Sequence, residues 1–217
     1  MEPKKNYHLR IRNRQYKYLP FHPYHIVLVL ILAGIALLFL GMLAAYLYTT
    51  VNRGLSPVKP PFVFALSTFV LIVSSLSINK AYQRYLEDQT YEFRFYLWGT
   101  LICTVLFLSL QVLGWYDLFL NEVTWQSGNG AGYLYTLSAL HFTHVIAGIP
   151  FLSWFIFLSY NAMQDPVMIL VYFSDPEKKL RLRLLRLYWH FLDLLWIVLI
   201  IVLTANYLIK NYLNLLY

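Results

Sequence analysis

The run LYWHFLDLLWIVLIIVLTANYLI, from Leu187 to Ile209, carries only two side chains that can bear a charge near neutral pH, His190 and Asp193. As an α-helix rising 1.5 Å per residue it spans about 34 Å, enough to cross a hydrocarbon core of about 30 Å. A transmembrane strand would need only about 10 residues of alternating polarity, and this run does not alternate. Backbone groups in lipid must be satisfied within the segment, so an uninterrupted apolar run of this length reads as a helix.

Working outward, four more runs have the same character. They lie at about 24–49, 61–79, 95–116 and 133–160, with the second near the lower length limit and free to continue past Asn79 into water. The chain is therefore expected to be all-α, an integral membrane bundle of five transmembrane helices. Residues 1–23 form a basic tail and 24–217 a single membrane domain. Most prolines lie in connectors or at helix starts, whereas Pro150 falls within the fourth span, two residues after Gly148, where a kink is expected. The first run is too long for the apolar region of a cleaved signal peptide and reads as a retained span.

Composition agrees with this reading. Of 217 residues, 59% are hydrophobic and 12% charged, against about 45–50% and about 25% in soluble domains. A soluble enzyme, a disordered regulator and a disulfide-built secreted module are excluded. The lone Cys103 lies inside an apolar run and reads as a small hydrophobe.

The net charge of +7 is set by position. Six basic residues precede the first span (Lys4, Lys5, Arg10, Arg12, Arg14, Lys17), three follow the second (Lys80, Arg84, Arg94) and five precede the last (Lys178, Lys179, Arg181, Arg183, Arg186). The opposite side holds Arg53, Lys59 and Lys210, a ratio of 14 to 3. By the positive-inside rule the N-terminus is cytoplasmic and the C-terminus outside. Basic residues confined to the ends of spans suit lipid headgroups, not nucleic acid.

Side chains inside the spans that can bear a charge near neutral pH are few: His25, His141, His144, His190 and Asp193. Such groups are costly in a bilayer and each starts as a functional candidate. His141 and His144 share one helix face, with Ser138 and Gly148 continuing the stripe, and His190 and Asp193 are likewise three apart. Haem or metal ligation, a proton relay, and hydrogen bonding between helices are the alternatives. Helix rise puts His190 near the inner surface and the other two histidines in the outer half, a poor arrangement for two axial ligands of one iron. Gly34, Gly41 and Ala45 on the first helix, and Ser67, Ser74 and Ser77 on the second, read as packing faces. Gln111 reads as a helix–helix hydrogen bond, and several of the six Trp as interfacial belts. No nucleophile–base set, paired carboxylates or phosphate loop is present.

The segment Tyr188-Trp189-His190-Phe191 with Asp193 and Trp196 resembles the last-helix signature of subunit III of haem–copper oxidases. Leu140-His141 with His144-Val145-Ile146-Ala147-Gly148 resembles the penultimate helix of the same family. His22-Pro23, Leu66-Ser67-Thr68 with Ser74-Ser75, and Gln111 with Gly114-Trp115 extend the resemblance in order from about residue 21 to 209. It implies the short five-helix bacterial form, a multi-pass protein of the bacterial inner (cytoplasmic) membrane that carries no catalytic, redox or metal site. Haems and copper would sit in partner subunits I and II, and phospholipids in a cleft between helices. Larger respiratory supercomplexes are a further implied setting. His141, His144, Trp189, His190 and Asp193 would line the cleft or pack the helices, while this chain lacks the buried Glu that long forms carry in the helix matching 95–116. Two other readings stand beside this one: an accessory protein of nitric oxide reductase, and an autonomous haem-b electron-transfer protein.

Overall fold

The computed structural model describes residues 23–52, 54, 57–162 and 166–216. The basic tail expected before the first span lies outside these residues, apart from Pro23. In chain order the helices are α1 (Pro23–Asn52), α2 (Phe62–Leu86), α3 (Thr90–Leu120), α4 (Asn129–Ala162), α5 (Pro166–Ser174) and α6 (Pro176–Leu216). All but α5 are long and apolar enough to cross a membrane. The bundle is all-α with five membrane-length helices, as the apolar runs require.

The helices outrun the apolar windows. α2 continues past Asn79 to Leu86, and α3 starts at Thr90, so the two form a hairpin around Glu87, Asp88 and Gln89. The turn closes through Gln89 N–H to the Arg84 carbonyl (3.0 Å) and Asp88 N–H to the Tyr85 carbonyl (3.4 Å). These are the paired bonds of a Schellman motif, which needs one left-handed residue. Asp88 takes that place, with φ 56°. Arg84 ties the turn down through Glu87 (2.7 Å) and Glu92 (2.8 Å).

α6 starts well before its apolar run, at Pro176, a residue suited to the first helical position. Its opening turns are amphipathic: Leu182, Leu185 and Trp189 are buried while Arg181 and Arg183 are exposed. The aliphatic–cationic face meets aromatic rings, with Lys178 over Tyr172 (4.6 Å) and Arg186 over Tyr82 (4.2 Å). The connector before it is partly ordered as the nine-residue α5.

Two apolar clusters stack along the bundle. One gathers Phe39, Tyr46, Phe64, Phe107, Leu137 and Trp196. The other gathers Ile78, Tyr85, Phe93, Leu152, Tyr172 and Leu182 at the α2–α3 turn end. α1 contributes only to the first cluster and α5 only to the second. Outside them large apolar side chains face outward in mid-helix, Leu37 at 72% exposure among them, which suits lipid and not water.

Lipid tails are as apolar as leucine, so helices associate through close packing and hydrogen bonds. Gly148 does this as expected: a Cβ there would meet Tyr188 Cε1 at 2.9 Å and Trp189 Cζ3 at 3.1 Å. Gly114 on α3 lies equally close under the Phe64 ring of α2. The stripe of Gly34, Gly41 and Ala45 is different. All three are exposed, and nothing lies within 4 Å of a Cβ built at either glycine. α1 packs instead through Leu32, Phe39, Leu43, Tyr46 and Thr50. α4 stays helical through Pro150, whose ring removes one backbone donor.

Candidate functional site: a polar seam through the bundle

α2 presents a hydroxyl or amide on nearly every turn, and α6 and α3 answer it. Ser67 Oγ accepts from Gln111 Nε2 of α3 at 3.0 Å. Thr68 Oγ1 accepts from the Trp196 indole of α6 at 3.0 Å, and Ser74 Oγ from the Trp189 indole at 3.3 Å. Ser77 donates to the Tyr96 carbonyl of α3 at 2.8 Å. The helix–helix roles of Gln111 and of the α2 serines thus match their sequence reading. Trp189 and Trp196 are core residues, 4% and 0% exposed, and not belt residues. Trp98, Trp125 and Trp154 do face outward.

His190 is clamped between two α2 side chains. Its Nε2 lies 2.9 Å from Asn79 Oδ1 and its Nδ1 2.8 Å from Ser75 Oγ. An amide oxygen only accepts, so Nε2 carries a proton, while Nδ1 faces the Ser75 hydroxyl. Asp193 Oδ2 lies 3.7 Å from that Nδ1, beyond hydrogen-bond reach. Asp193 is 7% exposed, and its Oδ2 has no hydrogen-bond partner.

His141 is fully buried in an aromatic box. Its ring lies 5.0 Å from that of Trp196 and stands edge-on to Phe107 at 5.7 Å and Phe39 at 6.5 Å. Neither ring nitrogen has a hydrogen-bond partner. His144, half-buried, sets Nδ1 2.7 Å from the Leu140 carbonyl one turn back, so Nδ1 holds its proton. Phe39 touches both rings, and the Tyr188 hydroxyl donates to the His144 carbonyl at 2.7 Å. His25 sits half-buried at the start of α1.

The structure therefore brings His190 to Asp193 and to α2, while His141 and His144 face Phe39 of α1. Among the described residues no group of three His, Cys, Asp or Glu side chains is placed to hold a metal ion. What the seam can do chemically is pair donors with acceptors across helix interfaces, which in a bilayer is worth about 0.6–2 kcal/mol per bond.

Sequence reasoning passed over Asn79 as the partner of His190, and Asn206, whose Nδ2 donates to Tyr46 Oη of α1 at 2.7 Å. The available signal was an amide inside or at the edge of an apolar span, the same signal that singled out Gln111.

No family model matches the chain. It is 29% identical to the cytochrome c oxidase subunit 3 of Thermostichus vulcanus, over 79% of this chain and 82% of that protein. It is 26% identical to the cytochrome bo(3) ubiquinol oxidase subunit 3 of Buchnera aphidicola subsp. Schizaphis graminum, over 63% of this chain and 66% of that protein. The cytochrome c oxidase subunit 3 of Tachyglossus aculeatus aculeatus is 25% identical over 67% of this chain, which spans about half, 51%, of that longer protein. Along most of its length the chain is thus similar to subunit 3 proteins of cytochrome c and ubiquinol oxidases, and it shares with a multi-pass membrane protein its five membrane-length helices.

Proposed function

We propose that the chain is the non-catalytic subunit III of a terminal haem–copper oxidase in a bacterial cytoplasmic membrane. That complex reduces oxygen to water and moves protons, with haems and copper held by subunits I and II. The carrying observation is the seam itself: Trp189 and His190 bond side chains of neighbouring helices, and His141 is sealed in an aromatic box. Such a bundle satisfies its polar groups across helix interfaces, as suits a supporting subunit. Its role is to steady subunit I and to hold phospholipid between helices. A groove of about 770 Å³ between α1 and the start of α4, lined by Met42, Thr49, Trp125 and Tyr133 among others, supports the lipid role. The residues of the seam line none of it. Similarity to subunits of both cytochrome c and ubiquinol oxidases leaves either donor compatible with the reading.

Purification of the tagged chain from its native membrane tests this. The reading expects stoichiometric co-purification of a haem- and copper-bearing subunit, and a complex without haem overturns it. Orientation is tested with an alkaline phosphatase fused to the C-terminus, which is active only outside the cytoplasm. Activity is expected from the 14 to 3 distribution of basic residues, and an inactive but intact fusion reverses the topology.

A further inference from the structure

Where the two apolar clusters meet, α2, α3, α4 and α6 leave a cavity of about 10 Å³. Its mostly apolar lining includes Leu71, Phe107 and Val145, with Ser74, Cys103, Thr104 and Asp193 as the lining residues that carry polar side-chain groups. The volume is what a single water requires. Enclosed cavities of this size stay dry when their walls are wholly apolar, whereas a water is held where two to four polar partners converge.

Three of these residues carry oxygen atoms whose unused hydrogen-bonding capacity matches that of one water. Asp193 is more than nine-tenths buried, and its Oδ2 has no hydrogen-bond partner. His190 Nδ1 is 3.7 Å away and lies 2.8 Å from the Ser75 hydroxyl. Ser74 Oγ accepts the Trp189 indole proton, so its own hydroxyl proton is left to donate. Thr104 Oγ1 gives its proton to the Thr100 carbonyl at 2.8 Å and keeps lone pairs to accept.

We infer that this cavity is a binding site for one water molecule, which donates to Asp193 Oδ2 and Thr104 Oγ1 and accepts from the Ser74 hydroxyl. The water joins α6 to α2 and α3 at mid-bundle, where the three side chains make no direct bond with one another. It supplies the buried Asp193 oxygen with the partner that a carboxyl group in a low-dielectric interior requires.

The test is a density map of the intact complex that contains the chain, at a resolution showing other buried waters. A single peak about 2.7–3.2 Å from Asp193 Oδ2 is expected. No peak there, or a direct side-chain hydrogen bond to Oδ2, overturns the inference. Because Asp193→Leu can block assembly, the companion variant is Ser74→Ala with Thr104→Val, which leaves Asp193 as the sole side-chain oxygen partner. The peak is expected to vanish in it, and an undiminished peak overturns the assignment of partners. Neither outcome depends on which enzyme the complex proves to be, so failure here is separable from failure of the oxidase reading.

Discussion

The Tyr188 hydroxyl donates to the main-chain carbonyl of His144 at 2.7 Å, one turn from the glycine that lets the two helices approach. Tyr188 packs against both apolar clusters, so this contact between α4 and α6 sits at the joint of the bundle. The Gly148 gap and the Tyr188 bond make separable contributions.

Gly148→Ala pushes a methyl group against two aromatic rings that are held by hydrogen bonds to His144 and Ser74. Overpacking of this kind costs about 1–3 kcal/mol. Tyr188→Phe removes one interhelical bond and costs about 0.6–1.5 kcal/mol. Thermal denaturation of the detergent-solubilised complex, followed by release of this subunit, is expected to rank Gly148→Ala as the more damaging.

His190 makes two bonds to α2, so its loss is felt through Ser75 and Asn79 together. In a double-mutant cycle His190→Phe and Asn79→Ala are expected to couple by about 0.6–2 kcal/mol in subunit retention. Strict additivity would show that the 2.9 Å contact contributes nothing.

Tyr172 lies in α5, outside the spans, fully buried against Tyr85 and Phe93. Burial pushes its phenol above the ordinary value of about 10, and the nearby Tyr85 and Asp175 add to the rise. The folded state thus holds this proton more tightly than the unfolded chain. Its contribution to stability is complete below about pH 10 and is lost as pH rises toward the folded value. Tyr172→Phe is expected to flatten that alkaline loss in a thermal-midpoint series. At neutral pH the substitution is expected to be neutral or slightly stabilising, because the hydroxyl is buried with no partner.

Asp88 and Glu122 hold left-handed backbone at φ 56° and 60°. Both close Schellman motifs, the second through Val123 N–H to the Leu118 carbonyl at 3.0 Å and Glu122 N–H to the Phe119 carbonyl at 3.1 Å. Glycine bears no Cβ penalty there, so Asp88→Gly and Glu122→Gly are each expected to stabilise by about 0.5–1 kcal/mol. Thermal midpoints of the two single variants check this, and a fall in either contradicts it.

The five spans were legible because apolar runs of more than about 18 residues have one physical solution in lipid. The ends were less so. α2 and α6 run on into polar sequence, where tertiary partners such as Arg84 with Glu92 and Arg186 with Tyr82 continue the helix. The seam was half legible: Gln111, Ser67, Ser74, His190 and Asp193 stood out as polar atoms in apolar runs, and their partners across the helices did not.

What the amino-acid sequence by itself determined is the number of spans, their approximate places and the inventory of polar groups, since each follows from what a bilayer excludes. Which face of each helix turns inward was decided only by tertiary structure. A soluble helix declares its buried side by its polar side, but in lipid both faces are apolar and small residues occur on either. That is why Gly148 lies under Tyr188 and Trp189 while Gly34 and Gly41 face outward. The same reason left the pairing of His190 with Asn79, and the small cavity beside Asp193, to the packing of the helices against one another.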